Sequence, residues 1–199
     1  MLKNKKGFTL IELLATIVIL GIIMIVAVPN VTGIIYKNRA NTYVEDAKKM
    51  VTLADYAIRG NNNKIVKPAA DHCIVFSLQY LDNAEFEEPP NGGEYQKMKS
   101  FIVVKKEGTK LVYYAQIVEK FKSTYCGVSL TTSSSLNQEG ASNNLVGNFK
   151  TSVMSSEIPI PASANSLTTS EKDAILKYVQ QFKDNTSSFA CDVDAAYVE

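Results

Sequence analysis

The chain is poor in the residues from which catalytic and metal centres are usually built. Only one of its 199 residues is histidine, His72, which excludes any centre needing two imidazoles. Three cysteines, Cys73, Cys126 and Cys191, are too few for a small scaffold held together by disulfides. Six prolines and ten glycines exclude a collagen-like chain. An excess of either charge is also missing: 21 basic and 20 acidic side chains leave a net +1. That balance argues against a protein whose main task is to hold nucleic-acid phosphates, and no nucleic-acid partner is expected. The phosphate-cradling patterns GxxxxGK[ST] and GxGxxG are absent. No serine or cysteine has a setting that suggests a nucleophile. The expectation is therefore not an enzyme, with no cofactor and no metal. What the chain does have is 46% hydrophobic and 21% charged residues, enough for a folded domain. The apolar residues are unevenly spread.

Lys3, Lys5 and Lys6 are the only charges in Met1 to Gly7, and from Phe8 to Tyr36 the only charge is Glu12. Between Leu13 and Val28, 14 of 16 residues are apolar, the exceptions being Thr16 and Gly21. A helix over Phe8 to Val28 rises about 1.5 Å per residue, enough to cross a hydrocarbon core. Lysines on its short side place the amino terminus in the cytoplasm and the residues beyond Pro29 outside. A cleaved signal peptide fits poorly, because the apolar stretch is long and no A-x-A site follows it. A plain membrane anchor has to carry Glu12, at a cost of roughly 2.5–3.5 kcal/mol at mid-bilayer and less near the edge.

The string Lys5-Lys6-Gly7-Phe8-Thr9-Leu10-Ile11-Glu12-Leu13-Leu14 closely resembles the class III leader of type IV pilins and related pseudopilins. The resemblance covers about the first 35 residues. It implies that a prepilin peptidase cuts after Gly7 and that the new amino terminus, Phe8, is N-methylated. It matches the family's glutamate to Glu12 and the family's proline near the end of the apolar stretch to Pro29. It also implies assembly into a helical filament through a bundle of apolar helices. There Glu12 needs a positive partner, and the free amine of Phe8 on a neighbouring subunit is the candidate. The implied partners are other pilin subunits, in a homo- or hetero-polymer, the prepilin peptidase, the inner-membrane assembly machinery and the membrane. The implied location is the cytoplasmic membrane for the precursor and an extracellular filament after assembly. A pseudopilin of a type II secretion or DNA-uptake system, and a permanently anchored adhesin or receptor domain, are the alternatives.

After Pro29 the pattern becomes striped. Ala40, Tyr43, Val44, Ala47, Met50, Val51, Ala54, Ala57 and Ile58 follow helical spacing, and Arg59-Gly60 before Asn61-Asn62-Asn63 is a stop. One helix is thus expected from Phe8 to about Arg59, on the order of 75–80 Å long, with a break or loosening at Pro29 and Gly33. The division expected is a leader over 1–7, a transmembrane or filament-core helix over 8–35, its amphipathic half over 36–60 and a globular head over 61–199. In the head, Cys73 to Leu78 is a short apolar run that fits strand or helix. Glu85 to Gly93 reads as a turn-rich loop, and its acidic pair as solvated. Phe101–Lys105 and Leu111–Val118 form a hairpin, with a third strand over Thr124–Leu130. Thirteen of the 38 residues from Thr131 to Thr168 are Ser or Thr, which reads as exposed loops with an edge strand at most. Ile158-Pro159-Ile160-Pro161 is excluded from any central strand. A late helix is expected from Ser170 to about Asp184, with Ala174, Ile175, Tyr178, Val179 and Phe182 on one face. The fold class is α+β, and the layout resembles that of pilins: a long amino-terminal helix packed on an antiparallel sheet, with a loop-rich carboxy-terminal region.

Three cysteines outside the membrane allow one disulfide in three pairings, or three reduced thiols, or a metal site completed by His72 or an aspartate. The resemblance to pilins, which often tie the carboxy-terminal region to the sheet, favours Cys126 with Cys191. Asp192 and Asp194 resemble, in placement, the calcium loop of major pseudopilins, against a plain solvated tail. His72 beside Cys73 is read as a surface histidine next to a packed cysteine rather than a catalytic pair.

Overall fold

The computed structural model describes residues 7–60, 64–82, 86, 88–182 and 189–199. Within the first helix the side chains of Val26, Pro29 and Asn30 fall outside that description. Two compact units result, 1–38 and 39–199. Helix α1, Leu10–Arg59, contributes to both. Its backbone stays helical through residue 29, so the break expected at Pro29 does not end the helix. Proline lacks one N–H, and the bonds of its neighbours carry the helix on.

The second unit is built on a seven-stranded sheet. Its strands are β1 (His72–Ser77), β2 (Glu94–Tyr95), β3 (Phe101–Glu107), β4 (Lys110–Phe121), β5 (Thr124–Thr132), β6 (Val146–Asn148) and β7 (Asp192–Tyr197). The order is β6-β5-β4-β3-β1-β7, with β2 paired to the far end of β4. All pairs are antiparallel except β1 with β7, which is parallel. Helix α2 (Leu78–Leu81) follows β1 directly, its first turn capped by the Ser77 hydroxyl. The run from Cys73 is therefore a strand that turns into a helix at Leu78. The hairpin of β3 and β4 is longer than expected at both ends. Gly127, in β5, is placed by necessity. Its φ is +148°, and a Cβ there would stand 2.0 Å from the Ile117 carbonyl oxygen of β4.

The strands alternate between two cores. Ile74, Phe76, Ile102, Val104, Ala115 and Ile117 join Tyr43, Ala47, Met50, Ala54 and Ile58 of α1 in one buried cluster. Cys73, Val75, Phe101, Val103, Val118, Val193 and Ala196 form a second cluster on the opposite face. That face is covered by Met154, Ile158 and helix α5 (Thr169–Gln180), through Ile175, Tyr178 and Val179, and by Phe182 just beyond the helix. A sheet covered on both faces explains why β1 and β3 read as uninterrupted apolar runs.

The Ser/Thr-rich stretch is more ordered than expected. It holds α3 (Ser133–Leu136), α4 (Ala141–Leu145), edge strand β6 and a 3-10 turn over Val153–Ser155. Leu136, Met154 and Ile158 anchor it in the cores. Helix α5 starts one residue before the expected position because Thr168 and Glu171 form a capping box. It ends at Gln180, and residues 183–188, where the expected end falls, lie outside the described residues. Ala174, expected on its buried face, is exposed.

The expected Cys126–Cys191 pairing is corrected. The disulfide joins Cys73 to Cys191, with a Cα–Cα distance of 5.7 Å, and Cys126 is free. The reason is topological. Cys191 immediately precedes β7, which lies beside β1, whereas Cys126 is on β5, four strands from β7. At about 4.8 Å per strand that separation is roughly 19 Å. A disulfide tolerates about 7 Å between Cα atoms. The bond also removes two of the three thiolates that the alternative metal site required.

Candidate assembly site

The first unit presents apolar surface almost without relief. From Phe8 to Tyr36 its large apolar side chains are 44–86% exposed, Phe8 the most. Each would gain on the order of 1.5–3 kcal/mol on leaving water, so the segment calls for lipid or for other helices around it. Gly7 and Phe8 are exposed and precede α1. Lys3, Lys5 and Lys6, and with them most of the leader, lie outside the described residues.

Glu12, the one carboxylate of the segment, is the third residue of α1. The Thr9 N–H and the Thr9 hydroxyl each donate to Glu12 Oε2 at 2.8 Å, and the Glu12 N–H donates back to the Thr9 hydroxyl oxygen at 3.4 Å. This reciprocal cap satisfies free donors of the first helical turn and places negative charge at the positive end of the helix dipole. The spacing of Thr9 and Glu12, T-x-x-E, is the signal that could have found this cap. The carboxylate thus has a local partner within the chain through Oε2.

Among the described residues no helix is long and apolar enough to cross a membrane.

On the head, a buried polar clasp sits where α1 meets the sheet. Glu119 of β4 is fully buried. Its Oε2 accepts from the Tyr43 hydroxyl and lies 3.2 Å from Asn91 Nδ2, and its Oε1 accepts from the Gly93 N–H at 2.8 Å. Asn91 Nδ2 also lies 2.6 Å from the Tyr43 oxygen and 3.2 Å from Cys126 Sγ, while Arg39 donates to Asn91 Oδ1 at 3.2 Å. Gly93 has to be glycine, because a Cβ would stand 2.3 Å from the Lys120 carbonyl oxygen and 2.7 Å from Glu119 Oε1. Nearby the Tyr95 hydroxyl donates to Asp46. Burial, aided by the neighbouring thiol and carboxylate, pushes the Tyr43 hydroxyl far above its ordinary range. Burial likewise raises the Cys126 thiol, which keeps it protonated and a poor nucleophile. The clasp is a chemical fastening of the 88–93 loop to α1, β4 and β5. Sequence reasoning missed it because its five side chains come from four separate segments.

The remaining candidates are not brought together as a site. His72 Nδ1 lies 2.6 Å from Asp194 Oδ1, and Asp194 Oδ2 accepts from the Ala69 N–H at 2.9 Å. Asp192 pairs instead with Lys172 at 3.1 Å. The two aspartates therefore serve the protein's own donors and form no shared oxygen cage. Among the described residues no group of three or more His, Cys, Asp or Glu side chains is arranged to hold a metal. Glu85 and Glu87 lie outside the described residues, and Glu88 is exposed.

An amino terminus of this kind, with a short basic block, a glycine, an aromatic residue and a single capped carboxylate ahead of an apolar helix, is similar to that of a prepilin. Residues 2–28 match the family model described as the prokaryotic N-terminal methylation motif. The chain thus carries a class III leader, the hallmark of type IV pilin-like prepilins. No curated protein and no solved structure matches it.

Proposed function

We propose that the chain is a structural subunit of a type IV pilus or pilus-like filament, cut between Gly7 and Phe8 by a prepilin peptidase, N-methylated on Phe8 and assembled through its apolar helix. The observation that carries this reading is the methylation motif over residues 2–28. The long exposed apolar surface from Phe8 to Tyr36 supports it. The precursor rests in the cytoplasmic membrane with its lysines inside, held by the apolar sequence from Phe8 to Val28. Cleavage removes the lysines, so the helix leaves the bilayer for a bundle of like helices. There Glu12 meets the methylated amine of Phe8 on a neighbouring subunit, and its Thr9 cap keeps the carboxylate oriented in the meantime. The heads, 39–199, form the outer surface. A pseudopilin of a secretion or DNA-uptake machine shares the same leader and the same chemistry. A permanently anchored receptor would keep residues 1–7.

The test is Glu12→Leu. It makes the segment more apolar, so membrane insertion remains complete while recovery of surface filament falls at least tenfold. Parental amounts of filament from the variant would remove Glu12 from the assembly mechanism.

A further inference from the structure

We infer that the head carries a binding site for a doubly charged tetrahedral oxyanion, the phosphate or sulfate ester group of a larger ligand, in the cleft where α1 ends against the β3–β4 hairpin. The cleft has a volume of about 480 Å³ and is lined by Ile58, Arg59, Lys67, Thr109, Lys110 and Leu111. Three cations and a hydroxyl from three separate segments converge there.

The guanidinium is pre-positioned. Arg59 Nε donates to Asp55 Oδ1 at 2.6 Å, and Tyr113 donates its hydroxyl to the same oxygen. Arg59 is thus held through Nε beside Asp55 and Tyr113, which fixes the plane of its guanidinium. Its two terminal nitrogens are the part of arginine suited to grip an oxyanion. Several other lysines of the head are already paired. Lys97 pairs with Asp82, Lys99 with Glu157 and Lys105 with Glu107. The side chains of Lys67 and Lys110 have neither an ion pair nor a hydrogen bond among the described residues. With Asp55 offsetting Arg59, and Glu107, opposite Lys110 across the hairpin, engaged by Lys105, the cleft keeps two positive charges, which match a dianion. Thr109, at the hairpin tip, adds a hydroxyl that donates without a charge of its own. Ile58 and Leu111 give the cleft an apolar wall, which keeps water from screening one side and offers a surface to the organic part of the ligand.

The experiment uses the full chain in neutral detergent micelles at pH 7.5 and low ionic strength. Inorganic phosphate, sulfate and acetate are titrated in parallel while the backbone amide resonances are followed. The expected result is saturable shifts at Arg59, Lys67, Thr109 and Lys110 with phosphate or sulfate, and binding of acetate at least tenfold weaker. The stronger of the two dianions identifies the ester the natural ligand carries. K67Q/K110Q, which leaves the Arg59–Asp55 pair intact, should weaken binding about tenfold, as expected for losing two partly screened charges. Its unchanged spectrum away from the cleft would show that the fold is retained. Non-saturating shifts, shifts scattered over lysines elsewhere, acetate binding as well as phosphate, or full affinity in K67Q/K110Q would each overturn the assignment.

Discussion

Opening the Cys73–Cys191 bond, by Cys73→Ala with Cys191→Ala, should destabilise the head by several kcal/mol. The bond spans 118 residues of sequence. In the chain-entropy model a closed loop of that size restricts the unfolded chain by about 5 kcal/mol at 25 °C. Two features reduce the measured value. Denatured chains keep some residual structure, and β7 has other attachments: its parallel ladder to β1 and the burial of Val193, Ala195, Ala196 and Tyr197. A loss of about 3–4 kcal/mol is therefore expected, against a total stability of roughly 5–15 kcal/mol for a domain of this kind. The assay is urea unfolding of the full chain in micelles, followed by tyrosine fluorescence, for parent and double variant. Adding a reductant should bring the parent down to the variant and leave the variant unmoved. Cys126→Ala should shift the midpoint far less, because no covalent loop is lost. An unchanged midpoint in the double variant, or a Cys126–Cys191 peptide in a non-reducing digest, would refute the reasoning.

Glu119→Ala leaves the Tyr43 hydroxyl, the Asn91 amide and the Gly93 N–H without their buried acceptor, and should cost about 3 kcal/mol. Tyr43→Phe removes one donor and should cost about 1–2 kcal/mol; the same urea titration reads both. Alkaline pH should loosen the clasp. The Tyr43 and Tyr95 hydroxyls and the Cys126 thiol are all raised by burial above their ordinary values of 10.0 and 9.0. Groups raised on folding contribute fully below those values, and the contribution is lost as pH climbs above them. Stability should therefore hold through pH 8 and fall progressively above pH 9–10, less steeply in Tyr95→Phe. A flat profile to pH 11 would contradict this.

Sequence reading was sound where information is local. The stripe from Ala40 to Ile58, the hairpin around Gly108 and the late helix, expected from Ser170 and found from Thr169, each rest on neighbouring residues, and each is present. It failed where partners are far apart. The tail Asp192–Tyr197 has no alternation of its own and becomes a strand only because β1 lies beside it, so the disulfide partner of Cys191 was misplaced with it. Thr131 to Thr168 looked like loose loop because Ser and Thr dominate, yet a few buried residues such as Leu136, Met154 and Ile158 fasten it to the cores. The sheet's second covered face was legible in principle. Cys73-Ile74-Val75-Phe76 and Phe101-Ile102-Val103-Val104 are apolar at every position, which a sheet wet on one side does not require. The leader was legible because its signal is a contiguous string whose chemistry does not depend on the fold of the head. The polar clasp and the anion cleft, each drawn from separate segments, were not.

The central claim, a subunit processed at its amino terminus and built into a filament, is tested most directly by sequencing the amino terminus of filaments sheared from the cell surface. The prediction is that this chain is found there, starting at N-methylated Phe8, and that Gly7→Glu leaves only uncut precursor in the membrane fraction. Surface material beginning at Met1, or at a residue near Pro29, would contradict it.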